Sequence, residues 1–259
     1  MYGLITLPLV PLRANDNERS EMVTQLLFGE YVKILENNEK WLYIENVTDN
    51  YKGWADAKMI TLVTDSAFQT SYQVKVNRLV HAYNIIFNTR LNQRKHIPGG
   101  SLIYNLNNDE FLVGSEFWSL IEPDAVTSGK FTAHQIIETA MQYLNTPYLW
   151  GGKSVLGIDC SGLVQVVYSI GGYNLPRNAF MQVEQGELVD FLSESLPGDL
   201  AFFGSEDGNI THVGILIDNA TIIHSSGWVK IENIDSQGII SSVTGEYTHH
   251  LRVIKRIIS

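Results

Sequence analysis

The apolar positions of this chain change period about half-way along it. Up to about residue 123 they alternate in short runs, as in Tyr31-Val-Lys-Ile-Leu35 and Trp41-Leu-Tyr-Ile44, bounded by Gly29 and the polar turn Glu36 to Lys40. Two-residue alternation between turn residues is a strand signature. Further strand-like runs follow at Gln73 to Val80, Pro98 to Tyr104 and Glu110 to Val113, with Asn105 to Asp109 as a turn. The pattern predicts two small β-barrels in series, over 1–64 and 65–123, with almost no helix. A connection over Glu122 to Lys130, holding Pro123, Asp124, Ser128 and Gly129, then leads into a third domain over 124–259.

In that third domain the period lengthens. Thr132 is a candidate N-cap, and Ile136, Ala140 and Leu144 make a 3.6-residue stripe that stops before Pro147. Beyond the loop Thr146 to Gly152, Leu163, Val166, Val167 and Ile170 recur at helical spacing and end at Gly171-Gly172. A second helix therefore opens at or just before Cys160. Leu200 to Phe203, His212 to Ile217, Thr221 to His224 and Leu251 to Ile258 read as strands. The expected fold class is α+β, helices packed on an antiparallel sheet, preceded by the two barrels.

Charge and cysteine content narrow the chemistry. The chain has 259 residues, 44% of them hydrophobic, and a formal charge of -10. An acidic surface disfavours nucleic acid and anionic membranes as partners, because both need a basic face. No apolar run reaches the length of about 18 residues that spans a bilayer. The start lacks a basic n-region, which suggests the cytoplasm, although a chain whose leader had been removed would look the same and belong to the envelope. Cys160 is the one cysteine, so an internal disulfide is excluded. A lone thiol is commonly a small buried hydrophobe, but at a helix start the unsatisfied N–H groups and the positive dipole end favour the thiolate.

A cysteine nucleophile also needs a base, and histidine suits that task near neutral pH. His212 opens one strand and His224 closes the next. A three-residue turn at Asp218-Asn219-Ala220 pairs residue 214 with 224 and sets the two histidines on one face as diagonal neighbours; a two-residue turn sends them to opposite faces. With the odd turn, His212 can serve as base while His224 orients its other ring nitrogen. Asp159 reads as an N-cap for the helix. His249-His250 suggests a metal at first sight, but no Cys, Asp or Glu cluster accompanies the pair in sequence, and it reads as surface. No metal or other cofactor is expected.

Several of these segments together resemble a known family. The ordered runs Pro147-Tyr-Leu-Trp-Gly-Gly, Asp159-Cys-Ser-Gly-Leu-Val, Leu175-Pro-Arg, Pro197-Gly-Asp-Leu, His212-Val-Gly-Ile and Ile223-His-Ser are similar to those of NlpC-type papain-like cysteine peptidases, which cut bacterial cell-wall peptides. The resemblance implies Cys160 as nucleophile, His212 as general base and acid, and His224 as the third polar residue. Leu12-Arg13, Ser20 to Glu30, Trp41 and Tyr51-Lys-Gly-Trp54 resemble the first bacterial SH3-like barrel of one subgroup, the γ-D-glutamyl-L-diamino-acid endopeptidases, also called dipeptidyl-peptidase VI. In that subgroup the barrel closes one end of the site and admits a free N-terminal L-Ala-γ-D-Glu. By the same resemblance Glu21 and Tyr51 meet the substrate amine, while Tyr148, Trp150, Asp159 and Ser161 complete the dipeptide site.

Where the subgroup often has Asp-Ser after Leu-Pro-Arg, this chain has Asn178-Ala179, so a carboxylate contact is lost and Asn178 is left as the substrate-facing position. The implied partner is a small murein peptide such as L-Ala-γ-D-Glu-diaminopimelate or its lysine counterpart, handled by a monomer in muropeptide recycling. Two other readings stay open on the sequence. The same Cys-His pair serves an intact-wall hydrolase or an acyltransferase, and a degenerate domain with two barrels would be a non-catalytic wall-peptide binder.

Overall fold

The computed structural model describes residues 1–72, 74–122 and 125–258, and two compact units, Met1–Ser128 and Gly129–Ser259. Gln73, where the second strand region is expected to begin, and Pro123 and Asp124, within the expected connection Glu122 to Lys130, lie outside the described residues.

The first unit is almost all strand. Its first sheet is built from β1 (Tyr2–Leu4), β2 (Leu9–Arg13), β3 (Met22–Leu27), β4 (Tyr31–Asn37), β5 (Trp41–Asn46), β6 (Lys52–Asp56) and β7 (Thr61–Val63). The order is β3-β2-β6-β5-β4-β1-β7, and every pairing is antiparallel. β5 shows the alternation read from the sequence: Leu42 and Ile44 are buried, Trp41, Tyr43 and Glu45 less so. They pack with Ile5, Val10, Leu12, Leu26 and Val32 into one core.

One short helix was not foreseen. α1 (Asp65–Tyr72) follows the first sheet, and Thr64 caps it by accepting from Ala67 N–H at 3.2 Å. Its eight residues bury Phe68 but carry no repeating apolar stripe, so periodicity could not find it. The strands β8 (Val76–Leu79), β9 (Tyr83–Asn88), β10 (Gln93–Pro98), β11 (Leu102–Tyr104), β12 (Glu110–Val113), β13 (Glu116–Leu120) and β14 (Val126–Thr127) complete the unit. The single strand expected over Pro98 to Tyr104 is two, because Gly100 takes φ 81° and turns the chain between β10 and β11. The core of this region draws in Leu4 and Tyr31 from the first sheet and Phe28 from the turn between β3 and β4, beside Phe68, Trp118 and Leu120. Gly29 marks the seam: its φ is +82°, and a Cβ there would lie 2.0 Å from the Leu102 carbonyl oxygen.

The second unit wraps helices on a closed sheet. α2 (Ala133–Met141) opens with a reciprocal capping box between Thr132 and Gln135. The small hairpin β15 (Lys153–Ser154) and β16 (Gly157–Ile158) leads into α3 (Cys160–Ile170), and α4 (Ala179–Gln182) follows. All of α3 except Ser169 is buried, as in a helix enclosed on every side. The sheet contains β17 (Glu187–Val189), β18 (Leu200–Gly204), β19 (Ile210–Leu216), β20 (Thr221–Ser226), β21 (Trp228–Ile234), β22 (Gly238–Ile240) and β23 (Tyr247–Arg256). Its order is β17-β23-β18-β19-β20-β21-β22, and β22 also pairs with β23, so six of the strands form a closed ring. Strands β21 and β22 were not recognised in the sequence. The α+β fold class holds.

Candidate active site

Cys160 is the first residue of α3 and 7% exposed. The N-cap is Asp159, whose Oδ1 accepts from Gly162 N–H at 2.7 Å. Asp159 is in turn gripped by the buried Arg177, with Nη1 at 2.9 Å from Oδ1 and Nη2 at 2.5 Å from Oδ2. Gly151 N–H donates to Oδ2 at 2.8 Å, which ties the Pro147 to Gly152 loop to the helix start. Ser161 Oγ sits in the same network, accepting from Arg177 Nη1 at 2.8 Å. Asp159 and Ser161 thus spend their oxygens on fixing Cys160, a job that the sequence showed for Asp159 as a cap and did not show for Arg177.

The helix start does not leave the thiol acidic. Burial, and after it the Asp159 carboxylate, push the Cys160 thiol up to about 11, against the N–H groups of Val213 and Ser161, which donate to the sulfur, and against Arg177. The expectation of a standing thiolate is therefore corrected: desolvation outweighs the dipole. The bond from Val213 places the sulfur beside the residue that follows His212.

The turn after β19 has the odd length the histidine pairing requires. Gly214 pairs with His224, Ile215 with Ile223 and Leu216 with Ile222. His212 and His224 are consequently diagonal neighbours, and His212 Nε2 lies 2.9 Å from His224 Nδ1. Gly214 makes room for this, since a Cβ there would stand 2.9 Å from the His224 Cβ. On the far side His224 Nε2 meets Glu232 Oε2 at 2.9 Å. Glu232 is held in place by Ser242, which donates to Oε1 through its N–H at 2.8 Å and its hydroxyl at 2.9 Å. Burial works against the Glu232 charge, yet His224 and Ser242 bring its carboxyl down to about 2.

This chain of bonds fixes the tautomers. Ionised Glu232 only accepts, so His224 Nε2 carries a proton and Nδ1 is the acceptor. His212 then donates from Nε2 and keeps its lone pair on Nδ1. Burial first, and then the neighbouring His249 and His224, lower the His212 pKa well below its usual 6.5. The result is a neutral imidazole with a free nitrogen, able to take a proton from a neutral thiol.

The remaining positions are distributed as follows. Tyr148 is half-buried, and its phenol is raised to about 12 by burial and next by Cys160, so it stands in the electrostatic neighbourhood of the sulfur. Trp150 is 60% exposed at the tip of the same loop. Asn178 is half-buried at the N-cap of α4, with no side-chain cap bond. In the first unit Glu21 is exposed just before β3, while Tyr51 is half-buried against the first core. His250 is exposed, but His249 is not the surface residue expected. Its ring stacks on that of His212, with centroids 4.1 Å apart and planes 30° apart.

Residues 145–249 match the NlpC/P60 family, and residues 12–60 match the bacterial dipeptidyl-peptidase Sh3 domain. The chain is 32% identical over 219 residues to the gamma-D-glutamyl-L-lysine dipeptidyl-peptidase of Bacillus subtilis (strain 168), covering 78% of this chain and 71% of that one. The chain belongs to the NlpC/P60 family. It is thus a cysteine peptidase by descent. The dipeptidyl-peptidase 6 of Lysinibacillus sphaericus is 26% identical over 92% of this NlpC/P60 chain and 93% of its own. The fold agrees over the whole of both chains with the crystal structure of an NlpC/P60 family protein from Bacillus cereus ATCC 10987, at TM-score 0.85 and 19% identity.

Glu232 is the functional candidate that the sequence reading of this NlpC/P60 chain missed. It pairs with Ile222, and Lys230 pairs with His224, so Glu232 and His224 are diagonal neighbours like His212 and His224. The signal was an acid between Ile231 and Ile234 in a strand of mixed polarity, visible only once β21 is read as a strand.

Proposed function

We propose that this chain is a γ-D-glutamyl-L-diamino-acid endopeptidase, which hydrolyses murein peptides bearing a free N-terminal L-Ala and releases L-Ala-γ-D-Glu. The observation that carries the reading is the bonded series His212, His224, Glu232 next to a helix-opening cysteine, joined to a match with the dipeptidyl-peptidase Sh3 domain. The names of the relatives, a gamma-D-glutamyl-L-lysine dipeptidyl-peptidase and a dipeptidyl-peptidase 6, agree with it.

In this reading His212 Nδ1 takes the Cys160 proton as the sulfur attacks the γ-glutamyl carbonyl carbon. Both groups start neutral, so the ion pair forms only with substrate in place. The negative oxygen of the tetrahedral intermediate is met by the N–H groups that open α3. The imidazolium is stabilised through His224 by Glu232, and its proton goes to the leaving amine of the diamino acid. Water, deprotonated by the same nitrogen, then adds to the thioester and frees the dipeptide. Proton transfer and charge stabilisation are all the reaction asks for.

Asp159, Ser161 and Arg177 hold Cys160, and Asp159 and Ser161 also line the dipeptide site with Tyr148, Trp150 and Asn178. Glu21 and Tyr51 receive the free amine. The first unit is read as two SH3-like barrels, 1–64 and 65–123, serving a peptidase domain over 124–259. The substrate is a fragment already freed from sugar by an amidase, with lysine or diaminopimelate in third place. The test compares L-Ala-γ-D-Glu-L-Lys with its N-acetylated form. The free peptide is expected to be cleaved with kcat/KM higher by roughly 100-fold, about 2.7 kcal/mol of amine recognition. Equal cleavage of both removes the amine site, and cleavage of neither removes the peptidase assignment for these substrates.

A further inference from the structure

Three imidazoles meet in the second unit, and the mechanism above uses two of them. His212 on β19, His224 on β20 and His249 on β23 each offer one ring nitrogen within 4.8 Å of the other two. The strands that carry them belong to one hydrogen-bonded sheet, so the cluster is held by backbone and not by a loop. Imidazole in its neutral form is the commonest protein ligand of transition metals. Behind one of the three stands a carboxylate: Glu232 accepts from His224 Nε2 at 2.9 Å and leaves Nδ1 facing the cluster. An outer carboxylate of this kind fixes the tautomer and raises the basicity of a ligating histidine.

We propose that His212 Nε2, His224 Nδ1 and a ring nitrogen of His249 form a binding site for a divalent cation of the zinc class, and that occupation of this site turns the peptidase off. Three imidazoles with a fourth position left to water is a coordination set that zinc takes. His212 Nε2 and His224 Nδ1 are 2.9 Å apart. Zn–N bonds of about 2.0–2.1 Å in a tetrahedral arrangement need nitrogens about 3.4 Å apart, so that pair opens by about half an ångström. The proton balance explains the inhibition. His212 holds one ring proton, on Nε2. When metal takes Nε2 that proton moves to Nδ1, the nitrogen that must accept the Cys160 proton. The ring stays neutral and ceases to be a base.

The inhibition half of this inference rests on His212 being the base; the binding half does not. The test measures zinc binding to the full-length protein by equilibrium dialysis, with the absorption of bound cobalt(II) as a second readout, alongside peptide cleavage. The wild type, Cys160→Ala and two His249 variants are compared. His249→Phe keeps an aromatic ring against His212 without a ligand atom, and His249→Asn removes the ring. One zinc per chain is expected in the wild type and in C160A, with affinity at least about tenfold lower in both His249 variants. Turnover of H249F should persist at zinc levels that silence the wild type, and a chelator should restore the latter. Unchanged binding in both His249 variants, or loss of binding in C160A, overturns the three-imidazole site. If the peptide substrates fail, the dialysis and cobalt results still decide the matter.

Discussion

At the scale of single residues, the proposed mechanism turns on the placement of protons and not on a standing charge. Cys160 is raised to about 11, while His212 stays neutral and is told by its neighbours which nitrogen to leave bare. The residue that gives the instruction is Glu232, two side chains from the sulfur. Glu232→Gln reverses it. With its oxygen on Ser242, the new amide donates to His224 Nε2, His224 then donates from Nδ1, and His212 must carry its proton on Nδ1. The expected loss in kcat is about 100-fold or more, as wrong-tautomer substitutions cause elsewhere. KM should change little and circular dichroism should stay as in the wild type. A variant that keeps more than about half of wild-type kcat would show that Glu232 does not set the tautomer.

At the scale of elements, the start of α3 carries most of the precision. Arg177 and Asp159 are 2% and 5% exposed and bonded through two nitrogens and two oxygens. Arg177→Leu leaves a buried carboxylate with backbone and hydroxyl donors but no counter-charge. The cost is expected to be about 3–5 kcal/mol, read as a lower urea midpoint with unchanged slope; a shift below about 1 kcal/mol would mean that solvent reaches the carboxylate. Elements also decide how far the sequence could be read. α2, α3, β19 and β20 were legible because an apolar stripe, a capping residue and an odd-length turn each left a local mark. The register 214 to 224 followed from counting three turn residues. α1 was silent because eight residues with one buried aromatic make no period. β21 was silent because its buried positions, Val229, Glu232 and Ile234, break alternation and include an acid. With β21 unseen, Glu232 could not be placed. His249 was misread because β23 is half-exposed along most of its length, and only packing against β18 and β22 brings its ring onto His212.

At the scale of the whole molecule, the same buried groups make the protein sensitive to acid. His249 titrates at about 4 in the folded state against 6.5 in an ordinary environment, so the unfolded chain binds its proton first. Its contribution is complete above pH 6.5 and is lost as pH falls toward 4. Glu232 titrates at about 2 against 4.5, so its contribution is complete above pH 4.5 and is lost as pH falls toward 2. His212 and His224 shift in the same direction as His249. Urea midpoints should therefore fall steadily from pH 7 to pH 4, and less steeply in H249F than in the wild type. Equal slopes in the two proteins would mean that His249 is charged in the folded state. The closure of the sheet by β23 has a further consequence in time. Cys160, His212, His224 and Glu232 all precede Tyr247 in the chain, yet β18, β17 and β22 find their common partner only when β23 is made. During synthesis Cys160, the two histidines and Glu232 exist as covalent chain before the ring around them can close. A chain in which β23 is not yet made therefore holds the parts of the ring and not the ring, and that one strand is the step that closes it.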